Sequence, residues 1–180
     1  FGIWQNFTPQ HHWFTINPYD IDNTACASVI LEKMGIDFPS NKKTLLSLKS
    51  KSGLFYTWLT FRWNWNTNLV YWYYVVKELK NPIKIHMLWK YFECDRDDVD
   101  LIVNNNLLLY FGDIKETQQI INSLITTILE NKESTCDKWY LNLQTIYYFI
   151  SKNYHKGIKK IEPIREVINC LLYTSDAADE

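Results

Sequence analysis

Asp20-Ile21-Asp22-Asn23-Thr24-Ala25 is the stretch on which the fold of this chain turns. Two carboxylates and an amide stand directly before a run of helix-compatible residues that continues to Met34. A carboxylate accepts hydrogen bonds from the free N–H groups of a first helical turn and suits its positive end. Asp20 or Asp22 can therefore cap a helix over 22–34, with Ala27, Leu31 and Met34 on one face. Gly35 follows where a left-handed residue closes a helix.

The same device returns downstream, where Asp98-Val99-Asp100 opens an apolar stretch that reaches Phe111 and stops at Gly112. Each start is followed by a second amphipathic stretch. The first is 41–51, ended by Gly53; the second runs to about 130, with Asp113 and Glu116 as a capping pair. Further helices are predicted over 69–80, from Pro82 to about 92, over 138–153 with Asp137 as cap, and over 158–169 with Pro163 as an irregularity. Residues 54–68, rich in Phe, Tyr, Trp and Thr with Arg62 and Asn64 interleaved, read as an aromatic loop or short hairpin. Residues 1–19 read as an extended approach. Helix pairs that start alike predict an all-α fold, a partial α/α toroid of about four helix pairs over 1–169. A plain helical bundle is the alternative that the same pattern allows.

The chain has 180 residues with a formal net charge of −1; 47% are hydrophobic and 16% aromatic, enough apolar surface for a core. Lys and Arg are scattered, so no nucleic-acid partner is expected. The longest apolar run, 69–76, is too short to span a bilayer. Phe1 is expected to be the start of a fragment or processed form. Residues 170–180 resemble a translated sequencing adapter and are set aside as a non-native tail. Cys26, Cys94 and Cys136 lack any CxxC spacing and read as small core residues of a reducing compartment, which predicts a cytoplasmic location. His11, His12, His86 and His155 are too dispersed for a ligand set, so neither a metal nor a cofactor is expected.

Asp20-Ile21-Asp22-Asn23-Thr24-Ala25-Cys26-Ala27 resembles the Asp-x-Asp-Asp-Thr-Ala segment of squalene–hopene-type class II terpene cyclases. Lys49-Ser50-Lys51-Ser52-Gly53-Leu54-Phe55 is similar to their Gln-x-x-x-Gly-x-Trp repeat, with Lys for Gln and Phe for Trp. Asp98-Val99-Asp100-Leu101-Ile102-Val103-Asn104-Asn105-Asn106 resembles a second helix start of the wider terpene-cyclase/prenyltransferase superfamily. The resemblance implies an α/α barrel around an apolar cavity for an isoprenoid or lipid-like ligand. It also implies protonation-initiated cyclisation by a class II cyclase-like isomerase, with Asp22 as general acid oriented by Asp20 and Asn23. Trp58, Phe61, Trp63, Trp65, Tyr71, Trp72 and Tyr73 would supply aromatic faces for developing carbocations. Asn23 stands where the family carries a third acidic residue, which removes one like charge from beside Asp22.

Each feature also has a plainer account. Asp20, Asp22 and Asn23 are good helix-capping residues in any fold. Asp98, Asp100 and Asn104 either line a polar cavity wall, where they bind a ligand such as a diphosphate, or form a buried structural network. The tryptophans Trp58, Trp63, Trp65 and Trp72 either line a cavity or pack as ordinary core. The alternative to an enzyme is a non-catalytic α/α-helical scaffold for a peptide or protein partner.

Overall fold

In the computed structural model, which describes residues 2–4, 18–63, 66–80, 82–91 and 94–176, the quoted stretch is the end of a strand and the start of a helix. Strand β1, Tyr19–Asp20, pairs antiparallel with β2, Trp58–Leu59; Tyr19 lies opposite Leu59 and Asp20 opposite Trp58. Helix α1 then spans Ile21–Lys33. Asp20 is its cap: the extended backbone of that residue turns its carboxylate back to accept the Asn23 N–H at 2.6 Å. Gly35 closes the helix with a φ of +66°.

The buried face of α1 is not the predicted one. Met34 is 65% exposed, whereas Thr24, Ala25, Ser28 and Val29 are buried. The hydroxyls can go inside because each donates to a carbonyl one turn back: Thr24 to Asp20 O and Ser28 to Thr24 O, both at 2.7 Å. Asn41 Nδ2 then donates to Ser28 Oγ at 2.9 Å.

Helix α2, Lys42–Leu46, is shorter than the predicted 41–51. The backbone after it is taken by a small antiparallel ladder: Lys49 pairs with Phe55, Ser50 N–H donates to Leu54 O, and Tyr56 N–H donates to Leu48 O. The stretch 49–55 is thus this turn, whose ends face each other across Gly53. Among the described residues of the aromatic segment, Leu54, Phe55 and Tyr56 pair back to 48–50, and strand β2 takes β1 as partner. Helix α3, Leu69–Leu79, is capped by Asn68, and α4, Pro82–Tyr91, starts on its proline as predicted. Trp58, Ile85 and Trp89 form a buried cluster with the half-buried Cys94 against it.

Helix α5, Leu101–Phe111, is buried from Leu101 through Tyr110. A 3-10 turn, Lys115–Thr117, leads into α6, Gln118–Leu129. Thr117 Oγ1, not Asp113, receives the Ile114 N–H of that turn (3.1 Å); Asp113 faces outward, to Gln118 Nε2 at 2.6 Å and Lys160 Nζ at 2.9 Å. Helix α7, Leu143–His155, begins later than predicted because Asn142 is its cap. A 3-10 segment, Lys159–Ile164, absorbs Pro163 and runs into α8, Arg165–Asp176. Helix α5 packs on α6 and α7, and α6 packs on the 3-10 segment and α8. The fold is all-α, with eight α-helices among the described residues.

The chain divides into two compact units, Phe1–Val99 and Asp100–Glu180. Both follow one internal plan. In each, an extended Asp precedes the first helix, Asp20 before α1 and Asp100 before α5. In each, the side chain four residues on donates to that Asp's carbonyl, from Thr24 at 2.7 Å and from Asn104 at 2.9 Å. In each, the first helical N–H reaches a later loop, from Ile21 to Thr57 O at 3.0 Å and from Leu101 to Cys136 O at 3.2 Å. An Asn caps the third helix of each, Asn68 for α3 and Asn142 for α7. Asp20 therefore matches Asp100 rather than Asp98.

Candidate functional site

The motif at the start of α1 brings Asp20 and Asn23 together and turns Asp22 elsewhere. Asp20 is 6% exposed. Its Oδ1 accepts the Asn23 N–H and its Oδ2 accepts Asn23 Nδ2, both at 2.6 Å. Burial pushes its pKa up to about 7, with the neighbouring charge of Asp22 adding to the rise and the bonds from Asn23 opposing it. Asp22 is half-buried, and its Oδ1 accepts from Cys26 Sγ at 3.7 Å. Asp20 thus holds its proton toward neutral pH. Asn23, which removes a charge from the motif, is the group that binds it.

Asp98 is bonded into the first unit: its Oδ2 receives Asp95 N–H at 3.0 Å and Trp58 Nε1 at 3.4 Å, and its carbonyl receives Thr57 N–H at 2.9 Å. Asp100 and Asn104 sit in the second unit, both buried, with Asn104 Nδ2 on the Asp100 carbonyl and Lys138 N–H on Asp100 Oδ1 at 3.3 Å. The first turn of α5 draws its side-chain cap from Asp137. Oδ2 of that residue accepts Ile102 N–H at 2.9 Å and Val103 N–H at 3.4 Å, while its Oδ1 accepts the N–H groups of Trp139 and Tyr140. Burial raises the Asp137 pKa, and these four N–H donors oppose the rise. Sequence reading placed Asp137 at the start of α7, because proximity along the chain was the available cue.

The aromatic residues separate. Trp58 is core, edge-on to Trp89 at 5.5 Å. Trp72 is half-buried, with Nε1 donating to Asn66 O at 2.6 Å. Trp63 is 96% exposed, edge-on to Phe61 at 5.0 Å. Trp65 lies outside the described residues, as do His11 and His12. Arg62, interleaved among them, is the organising cation: its Nε pairs with Asp97 at 3.0 Å, Nη1 donates to Trp58 O at 3.0 Å, Nη2 donates to Arg96 O, and the guanidinium lies 4.0 Å from the Tyr56 ring centre. Close by, Glu78 of α3 is buried, accepts from Thr60 Oγ1 at 2.6 Å, and has its pKa raised by that burial. Sequence reading missed Glu78, since nothing in its local spacing marks it as an inward carboxyl.

Among the described residues, each unit has a cleft. In the first unit, a cleft of about 380 Å³ is lined by cations and rings around Arg62. In the second, a cleft of about 280 Å³ lies between α7, the 3-10 segment and α8. Its floor is Ile150, Ile161, Ile164 and Ile168; Ser151 and Arg165 are among its polar edges. Neither Asp20 nor Asp22 lines either cleft. No cluster of three metal-ligating side chains occurs among the described residues, and none of their helices is long and apolar enough to cross a membrane. No family model, no curated protein and no solved structure matches this chain.

Proposed function

We propose that this chain is a helix-pair-repeat domain of the terpene-cyclase/prenyltransferase kind that binds an isoprenoid or similar lipid-like ligand. The observation that carries the reading is the isoleucine-floored cleft of the second unit. An apolar pocket with a few polar edge groups is the usual form of a small-molecule site. At about 280 Å³ it lies just under the roughly 300–1,000 Å³ common for such sites, so a geranyl- or farnesyl-sized chain suits it better than a triterpene. The duplicated plan of helix starts supports the repeat architecture. Binding rather than catalysis is the better assignment. Asp20, whose pKa burial raises to about 7, has both oxygens engaged by Asn23 at the start of its own helix.

The test is titration of the protein with farnesol or geranylgeraniol, beside a Ser151→Trp variant that fills the cleft from its edge. Saturable binding lost in that variant, with an unchanged unfolding midpoint, supports the reading. Absent binding, or binding indifferent to the substitution, refutes it. Cyclised product from squalene or geranylgeranyl diphosphate that disappears in Asp20→Asn or Asp22→Asn would instead establish catalysis.

A second reading, a scaffold for a protein partner, draws on the exposed apolar side chains of α3 and α4. Leu69, Ile83 and Tyr91 are 83%, 76% and 81% exposed, and Tyr73, Val76 and Met87 are about half exposed.

A further inference from the structure

The cleft of the first unit has a chemistry that the lipid reading does not use. Lys49, Lys51 and Arg96 bring three exposed cations to it. Its carboxylate, Asp97, is already paired with Arg62. Arg62 is itself saturated: pinned by Asp97, by the carbonyls of Trp58 and Arg96, and by the face of Tyr56, it forms a floor rather than a ligand. Lys51 and Arg96 make no ion pair among the described residues. The cleft therefore has cationic charge in excess, and that excess is on flexible, solvent-facing side chains.

Its rings are sorted in the same way. The Tyr56 face is covered by the Arg62 guanidinium at 4.0 Å. Phe61 is half-buried and meets Trp63 at 78° with ring centres 5.0 Å apart, so it props the indole without covering it. Trp63 is 96% exposed, which leaves the faces of a large apolar ring in water. Burying such a ring against another flat surface is favourable, and nucleobases stack on aromatic side chains by about 1–3 kcal/mol each.

We propose that this cleft is a mononucleotide-binding site, with the base on Trp63 and the phosphates on Lys51 and Arg96. Its volume of about 380 Å³ falls within the range usual for small-ligand sites, and a single open ring offers one base a platform rather than tracking a strand. All its lining residues belong to the first unit, and the isoleucine-floored cleft belongs to the second, so either assignment can fail while the other stands.

Calorimetric titration with ATP, with pyrophosphate and with an oligothymidylate tests it. ATP is expected to bind more tightly than pyrophosphate. Trp63→Ala weakens ATP about tenfold or more and leaves pyrophosphate unchanged. Lys51→Gln with Arg96→Gln weakens both ligands and flattens their salt dependence. These side chains are exposed, so the urea midpoint of each variant should match the wild type. The proposal is overturned if ATP does not bind at millimolar concentration, if ATP and pyrophosphate bind equally, if Trp63→Ala changes nothing, or if the oligonucleotide binds more tightly than ATP.

Discussion

The buried carboxyl of Asp20 makes stability depend on pH in a direction opposite to that of a salt-bridged acid. In the unfolded chain it ionises at the ordinary carboxylate value of 3.8; in the fold, burial holds its proton until about pH 7. Between those values the folded protein binds more protons than the unfolded one. The stability contributed by this group is therefore complete below pH 4 and is lost as the pH rises through 7. A separation of about three units corresponds to about 4 kcal/mol in all, of which about 3 kcal/mol falls between pH 5 and pH 8. Asp20 is only 6% exposed, so solvent screening removes little of it. Asp20→Asn keeps an oxygen for the Asn23 N–H and abolishes the titration. Urea unfolding followed by circular dichroism at pH 5, 6, 7 and 8 measures the effect, with the variant cancelling every other titrating group. The expected result is that wild type loses about 3 kcal/mol relative to Asp20→Asn across that interval. A difference between the two proteins that stays flat with pH would refute the argument.

Asp137→Ala removes the acceptor of four N–H groups, including those of the fully buried Ile102 and Val103, and should lower stability by about 3 kcal/mol or more in urea unfolding. Asp137→Asn, which keeps one acceptor oxygen, should lose less. Gly2→Ala would place a Cβ 2.2 Å from the Pro39 carbonyl oxygen at a φ of +62°, so its thermal midpoint should fall by an amount equivalent to about 1–3 kcal/mol. Burial pushes the Cys136 thiol up to about 11, so iodoacetamide at pH 8 should label it much more slowly than the exposed Cys170, as read by peptide mass spectrometry.

Neighbour-to-neighbour chemistry along the chain was legible without a structure. A carboxylate beside a run of helix formers, a glycine with positive φ after it and a proline at a first helical position act over three or four residues. Asp20, Gly35 and Pro82 accordingly stand where the sequence puts them. The all-α class and the doubled helix start follow from the same short-range logic. Tertiary structure decided whatever depends on residues far apart in the chain. It turned the Thr24 and Ser28 face of α1 inward, because Asn41 meets it there. It gave Asp137 to α5 rather than α7. It sorted three similar tryptophans into core, edge and open surface. It also raised the pKa of Asp20, since pKa follows desolvation and burial is set by what packs over a residue.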